Sequence, residues 1–233
     1  MRVFLTLVVG LLPSSPVKNW LLNHLGHQIH DSASIAPILI MGSGLLIVET
    51  SARIGPLTCF RGVGEVRLGE AAEIGQLNWI SAAPFLVENS NSETAGTLVL
   101  EAHSSLTNRH YLDVSGGIKI SQFATVAGVR SVFMTHGIST TDNYLDTAPI
   151  VIGEYAMVGG SCNFVMGSCV PARSVVALGS TVIPGLVEEM SLYAGTPARE
   201  KKHLNSGAYF VRQSGKVEPR PRFADSQTHI GDV

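Results

Sequence analysis

The clearest pattern in the chain lies between Ile152 and Val182. A bulky apolar residue returns at every sixth position: Ile152, Val158, Phe164, Val170, Val176 and Val182. The fifth position of each unit is small, in turn Ala156, Cys162, Ser168, Ser174 and Ser180. A helix repeats at about 3.6 residues and a strand at about 2, and neither gives a strict six. A short fixed repeat means that each unit is one module, buried by stacking on its neighbours. The pattern predicts short strands joined at bends, with the large residue pointing inward and the small one filling a tight corner. Upstream the same rhythm is looser. Ile29 leads into Ile35, Val48 into Ile54, and Leu68 into Ile74 and Ile80. Leu100, Leu106, Leu112 and Ile118 make a further block, and Ile120, Val126 and Val132 another. Phase slips between blocks mark wider corners or loops pushed out of the stack.

Two segments break the rhythm. Residues 82–96 contain a polar stretch, 88–96, rich in turn formers. Residues 137–148 form a second excursion that directly follows His136. A long excursion from a rigid scaffold is either disordered or functional, and the adjacent histidine favours function. At the N-terminus an apolar run follows Arg2, far shorter than the ~20 residues of a membrane-spanning helix. Pro13 and Pro16 follow it, without the small-residue cleavage motif of a secretory leader. It predicts a short helix packed on the strands, with contact to a membrane surface as the alternative. A second helix should run from Pro16 to Leu25 and stop at Gly26. Beyond Pro197 the residues predict a short helix, an extended piece and a mobile tail. The expected organisation is therefore 1–26 helical, 27–197 repeats and 198–233 C-terminal extension.

Composition adds little that contradicts this. Hydrophobic residues make up 45% and charged ones 15%, with 24 glycines, which suits an aliphatic core with many tight turns. The net charge of −2 gives no support to a nucleic-acid partner. Cys59, Cys162 and Cys169 match no zinc or redox spacing, and a reducing cytoplasm fits them. His24, His27 and His30 are close in sequence, but Gly26 breaks any helix that would align them, so no metal site is expected.

The repeat resembles the hexapeptide repeat of left-handed parallel β-helix acyltransferases. The wider frame does so too: Met134-Thr-His-Gly137, an excursion, then 148–160, 175–182 and 194–200 in that order. Galactoside, maltose and xenobiotic acetyltransferases show this order, as do O-acetyltransferases of exopolysaccharide synthesis. The resemblance implies an all-β fold, a left-handed parallel β-helix, assembled as a homotrimer with sites between subunits. It implies a coenzyme A-dependent O-acetyltransferase, with acetyl-CoA as co-substrate and a sugar or polysaccharide-precursor hydroxyl as acceptor. It also makes His136 the catalytic base. The chemistry requires one, because the hydroxyl must lose its proton as the carbon–oxygen bond forms, and an imidazole does this near neutral pH.

Other residues are candidates around it. His110 and Asp113 precede His136 by about one and a half turns of a prism with three hexapeptides per turn. They are candidate substrate contacts, or one of them orients His136. The bland alternative is an aspartate that binds its own turn backbone. The resemblance places Gly160, Ala177 and Leu178 along the coenzyme, with Arg199 near its phosphates. Met157 stands where the better-known relatives often carry an aromatic residue, and Ile183-Pro184 where they carry Thr-Lys. No nucleophile motif flanks His136, so direct transfer is expected rather than an acyl-enzyme. The rival readings are a non-catalytic binding or scaffold protein and an N-acetyltransferase acting on an amino sugar.

Overall fold

In the computed structural model, residues 1–220 are described. They form a left-handed parallel β-helix, a three-sided prism in which short strands stack coil upon coil. The first and third faces hold seven strands each and the second holds nine. Each face carries one inward column. On the first it is Ile29, Val48, Leu68, Leu100, Ile120, Ile152 and Val170. On the second it is Ile35, Ile54, Ile74, Leu106, Val126, Val158 and Val176. On the third it is Ile40, Phe60, Ile80, Leu112, Phe133, Phe164 and Val182. Nearly all of these side chains are sealed from water. Phe133 and Phe164 stack at 4.4 Å between ring centroids.

The corners explain the six-residue unit. The fourth residue takes a left-handed backbone, as at Tyr155 (φ 56), Ser161 (φ 57) and Arg173 (φ 54). A non-glycine residue there costs of order 1 kcal/mol, offset by the stacking that the bend permits. The fifth side chain then lies inside the turn. Ala156, Cys162, Ser168, Ser174 and Ser180 are all buried, and Ser180 Oγ donates to the Ala177 carbonyl at 2.7 Å.

The structure corrects one register. The inward residue after Val126 is Phe133, and Val132 is only half-buried. A bulge in Thr125–Val129 inserts an extra residue and delays the third face by one position. Ile118 is inward, but as a second buried position in the strand that carries Ile120.

The ends are closed by other elements. Helix α1, Arg2–Gly10, lies against the first strand of the third face. A Cβ at Gly10 would sit 2.9 Å from the Ile38 carbonyl oxygen, so glycine permits the approach. Thr6, Val9 and Gly10 face inward, while Val3, Phe4, Val8 and Leu11 are exposed. No helix among the described residues is long and apolar enough to cross a membrane. Helix α2, Pro16–His24, starts with a Ser15 cap and ends before Gly26 at φ 86. At the other end, Ala198–His203 is a strand rather than the expected helix. It pairs antiparallel with Ser191–Gly195 and covers the open edge of the second face. A 3-10 turn, Ala208–Val211, follows it. The rest of the expected tail, 221–233, lies outside the described residues.

Lys18 fastens α1 to the prism. Its side chain is fully buried, and Nζ donates to the carbonyls of Gly10, Leu12 and Ala36 at 2.7, 2.9 and 2.7 Å. Burial pushes the ammonium down to about 8, so it stays charged at neutral pH. Lys18→Met keeps the apolar stem and leaves three carbonyls without this donor. The expected loss is about 2–3 kcal/mol of stability, read from the midpoint of urea unfolding; an unchanged midpoint would contradict this role.

Candidate active site

The outer side of the third face carries a straight row. Met41, Arg61, Ser81, Asp113 and Met134 are register neighbours across five successive strands. Beyond Met134 the chain turns at Thr135, and the second excursion begins at His136. That excursion is a hairpin rather than a loose loop: His136–Ser139 pairs antiparallel with Tyr144–Thr147. The first excursion supplies helix α3, Pro84–Glu88, which stands beside the row. Between them lies a cleft of about 740 Å³, whose lining includes Arg61, Phe85, Tyr111, Met134, Asp113 and His136.

Asp113 and His136 are brought together. Asp113 Oδ2 accepts from His136 Nδ1 at 2.8 Å. The same oxygen accepts from the Thr135 amide at 3.0 Å and the Thr135 hydroxyl at 2.7 Å. Oδ1 accepts from the Ser115 amide at 3.2 Å and the Ser115 hydroxyl at 2.6 Å. Burial works to raise the Asp113 pKa, but hydrogen bonds from Ser115, His136 and Thr135 outweigh it and hold the carboxyl below its ordinary value. A carboxylate cannot donate, so the shared proton sits on His136 Nδ1. Nε2 is left as the acceptor. The His136 side chain is 30% exposed and that of Asp113 13%. The pair is therefore open on the imidazole side and closed on the carboxylate side. Asp113 also binds its own turn through Ser115.

His110 does not join them. It is fully buried, its Nδ1 accepts from the Ser131 amide at 3.1 Å, and Nε2 lies 3.1 Å from the Thr107 hydroxyl. Burial pushes its pKa down to about 4. A neutral imidazole enclosed in a corner cannot touch a substrate. The repeat itself carried the signal, because His110 is the fifth residue of the unit that begins at Leu106 and so the one that fills the bend. Gly160 is also enclosed. A Cβ there would lie 3.1 Å from the Val129 amide nitrogen, so the bulge covers it and it offers no coenzyme surface. Ala177 is half-buried and Leu178 exposed, and the Leu178 amide has no protein acceptor among the described residues. They occupy the corner between the second and third faces, across the third face from His136. Arg199 lies in Ala198–His203, the last strand of the second face, exposed, lining a second cleft of about 310 Å³ with Pro184 and Tyr193. The expected coenzyme residues and His136 are thus not gathered at one edge of one chain. His24, His27 and His30 do not form a cluster either: His27 is buried under α1 and the other two are exposed.

Sequence reasoning missed Thr135 and Ser115, which lock the carboxylate, and Arg61, Tyr111 and Phe85, which line the cleft. The coil repeat that aligns Ile40, Phe60 and Ile80 also aligns Met41, Arg61 and Ser81, and could have found the row.

No protein-family model matches the chain, and no curated protein matches it significantly. Solved structures do. A candidate acetyltransferase of Bacillus cereus is 15% identical over 75% of this chain and 86% of its own, with a TM-score of 0.54. The polysialic acid O-acetyltransferase OatWY is 16% identical over 78% and 86%, with a TM-score of 0.50. At these identities the likeness establishes the shared β-helix fold.

The Asp113 pair has a pH signature. A carboxyl whose folded pKa is depressed adds stability that is fully present above the unfolded pKa and is lost as pH falls through the folded one. Asp113→Asn should therefore lower the melting temperature most at neutral pH. The gap to wild type should narrow as the pH falls below the ordinary value of 3.8. Melting curves at a series of pH values check this, and a gap that widens on acidification would refute it.

Proposed function

We propose that this protein is an acyl-coenzyme A-dependent O-acetyltransferase acting on a hydroxyl of a sugar or polysaccharide precursor, with His136 as general base. The observation that carries the reading is the 2.8 Å contact of His136 Nδ1 with Asp113, at the edge of an open cleft. A scaffold protein has no use for a buried carboxylate that fixes the tautomer of a half-exposed imidazole. Asp113 holds the ring and its proton, so Nε2 faces the cleft without a proton. An acceptor hydroxyl there donates to Nε2, and its oxygen attacks as the proton leaves. Acetyl-CoA supplies the activated acetyl group as a thioester. Asp113 stabilises the imidazolium that forms, and the proton can then pass to the departing thiolate. Proximity of both reactants in one cleft supplies much of the acceleration.

An acyl-enzyme route has no support nearby. Ser139 Oγ donates to Asp142 at 3.0 Å and is not aimed at His136. Cys162 is fully buried, and burial pushes its thiol up, away from the reactive thiolate.

Two edges of the prism suit the two halves of such a site. His136 stands on one edge of the third face, and Ala177 and Leu178 on the other. Cyclic assembly sets one edge of each chain against the other edge of its neighbour, the closed heterologous arrangement of a homotrimer. The hairpin beside His136 exposes Ile138, Tyr144 and Leu145, an apolar surface that a neighbour would cover. In this arrangement Leu178 and Arg199 bind the coenzyme from their own edge.

Two outcomes follow. His136→Ala should retain the fold and acetyl-CoA binding while kcat falls by about two to four orders of magnitude. In wild type, initial-rate plots with both substrates varied should intersect. Turnover within a few-fold of wild type removes His136 from the mechanism, and parallel lines would show a covalent route. The second outcome concerns assembly. Light scattering at micromolar concentration should give the mass of three chains, and a monomer would overturn the shared site.

A further inference from the structure

The cleft beside His136 holds a feature that general base chemistry does not use. Arg61 is exposed, lines the cleft, and stands in the same row as Asp113. Ser81 lies between them in the register, so the Arg61 and Asp113 backbones are two strand spacings apart, roughly 10 Å. No carboxylate pairs with Arg61 among the described residues. The remaining ionisable groups of the cleft are Asp113 and His136, which are paired with each other, and Tyr111.

The rest of the lining is largely apolar and aromatic. Tyr111 is 59% exposed and Phe85 56%. Tyr111 lies over Trp79 with the rings 6.1 Å apart and 19° from parallel, so its plane is steadied from one side. Phe85 lines the cleft from α3. Flat faces of this kind bind the C–H faces of sugar rings, while an arginine in an apolar cleft is desolvated by any neutral ligand that covers it. Such a ligand loses affinity. A ligand with an anion in reach regains it through a bidentate, charge-assisted pair.

We propose that Arg61 is the anion-recognising residue of the acceptor site. The acceptor then carries a carboxylate or phosphate set apart from the hydroxyl at His136, because Arg61 stands two strand spacings, roughly 10 Å, from the backbone of Asp113, which holds His136. That distance exceeds one pyranose ring, so the anion belongs to the neighbouring unit of an oligosaccharide or to the diphosphate of a nucleotide sugar. Tyr111 supports the ring between them. The acetyl-transfer reading supplies the position of the hydroxyl; the anion site itself does not depend on turnover.

Equilibrium binding therefore tests it separately from activity. The probes are cellobiose, cellobiouronic acid and UDP-glucose, titrated calorimetrically into the full chain. At least one anionic probe should bind about tenfold or more tighter than cellobiose, and which one it is distinguishes a carboxylate from a phosphate. Arg61→Gln should bring the anionic and neutral probes to similar affinity, while Arg61→Lys should keep part of the difference. Equal binding of all three probes by wild type overturns the proposal, as does selectivity that survives Arg61→Gln. If charge selectivity is present and vanishes with Arg61 but no probe is acetylated, the anion site stands and the transfer reading falls. Acetylation of cellobiose and cellobiouronic acid at equal kcat/KM, with equal affinities, leaves the transfer reading standing and removes Arg61 from it.

Discussion

At every bend of the prism one side chain must fit inside the turn, and the whole molecule follows from how that space is filled. Where the residue is alanine, serine or cysteine the backbone closes tightly, and the next strand starts in register with the coil below. Where it is larger, neighbours must accommodate it. Asn78 and His110 occupy such bends and are accepted because their polar atoms are paired: Asn78 Nδ2 donates to the Thr107 carbonyl, and its Oδ1 accepts from the His110 amide. A buried polar side chain without partners would cost about 1–3 kcal/mol. The corner between the second and third faces thus carries a polar ladder that holds the coils in phase.

That phase positions the site. Strands stacked in register put every third-face outward residue in a row with a fixed spacing of about 4.8 Å. Residues far apart in sequence, such as Arg61, Asp113 and Met134, become neighbours on one surface. The two long excursions leave the prism at the same corner, after Ser81 and after Met134 of this row and before the first face, so the cleft forms without disturbing the inward columns. The bulge in Thr125–Val129 has a comparable effect: it delays the third face by one residue and so decides that Met134, not Phe133, faces outward beside Asp113.

How much of this could be read in advance depended on whether an error left a trace in the pattern. From Ile152 to Val182 no residue is inserted, and the strand positions and corners were legible one by one. From Ile120 onward an inserted residue shifted the inward position from Val132 to Phe133. Both are apolar, so the hydrophobic pattern did not record the slip. His136 was visible from its place before the excursion. Its contact with Asp113 was not decidable, because it spans a full coil whose length includes that hidden residue. His110 looked like chemistry since histidine is usually polar and accessible, yet its position five places into a unit marked it as a corner filler. The strand Ala198–His203 was unreadable for another reason. Its residues have no apolar stripe and little strand propensity, and pairing to an open edge imposes the conformation.

The division between inward and outward residues also explains how such a rigid scaffold can hold the Asp113–His136 pair. Five hydrogen bonds fix the Asp113 carboxylate, and all their donors come from two adjacent coils locked by the core. Little reorganisation is then needed when the imidazole takes up charge, which is the condition under which a preorganised carboxylate is most effective. The rest of the cleft is built differently. Arg61, Tyr111 and Phe85 project from the surface and contribute little to the inward columns. A change among them alters what the cleft admits without unseating the stack beneath. Stability therefore resides in the three buried columns, the Asp113–His136 pair is held at one corner, and the character of the cleft is set by outward side chains.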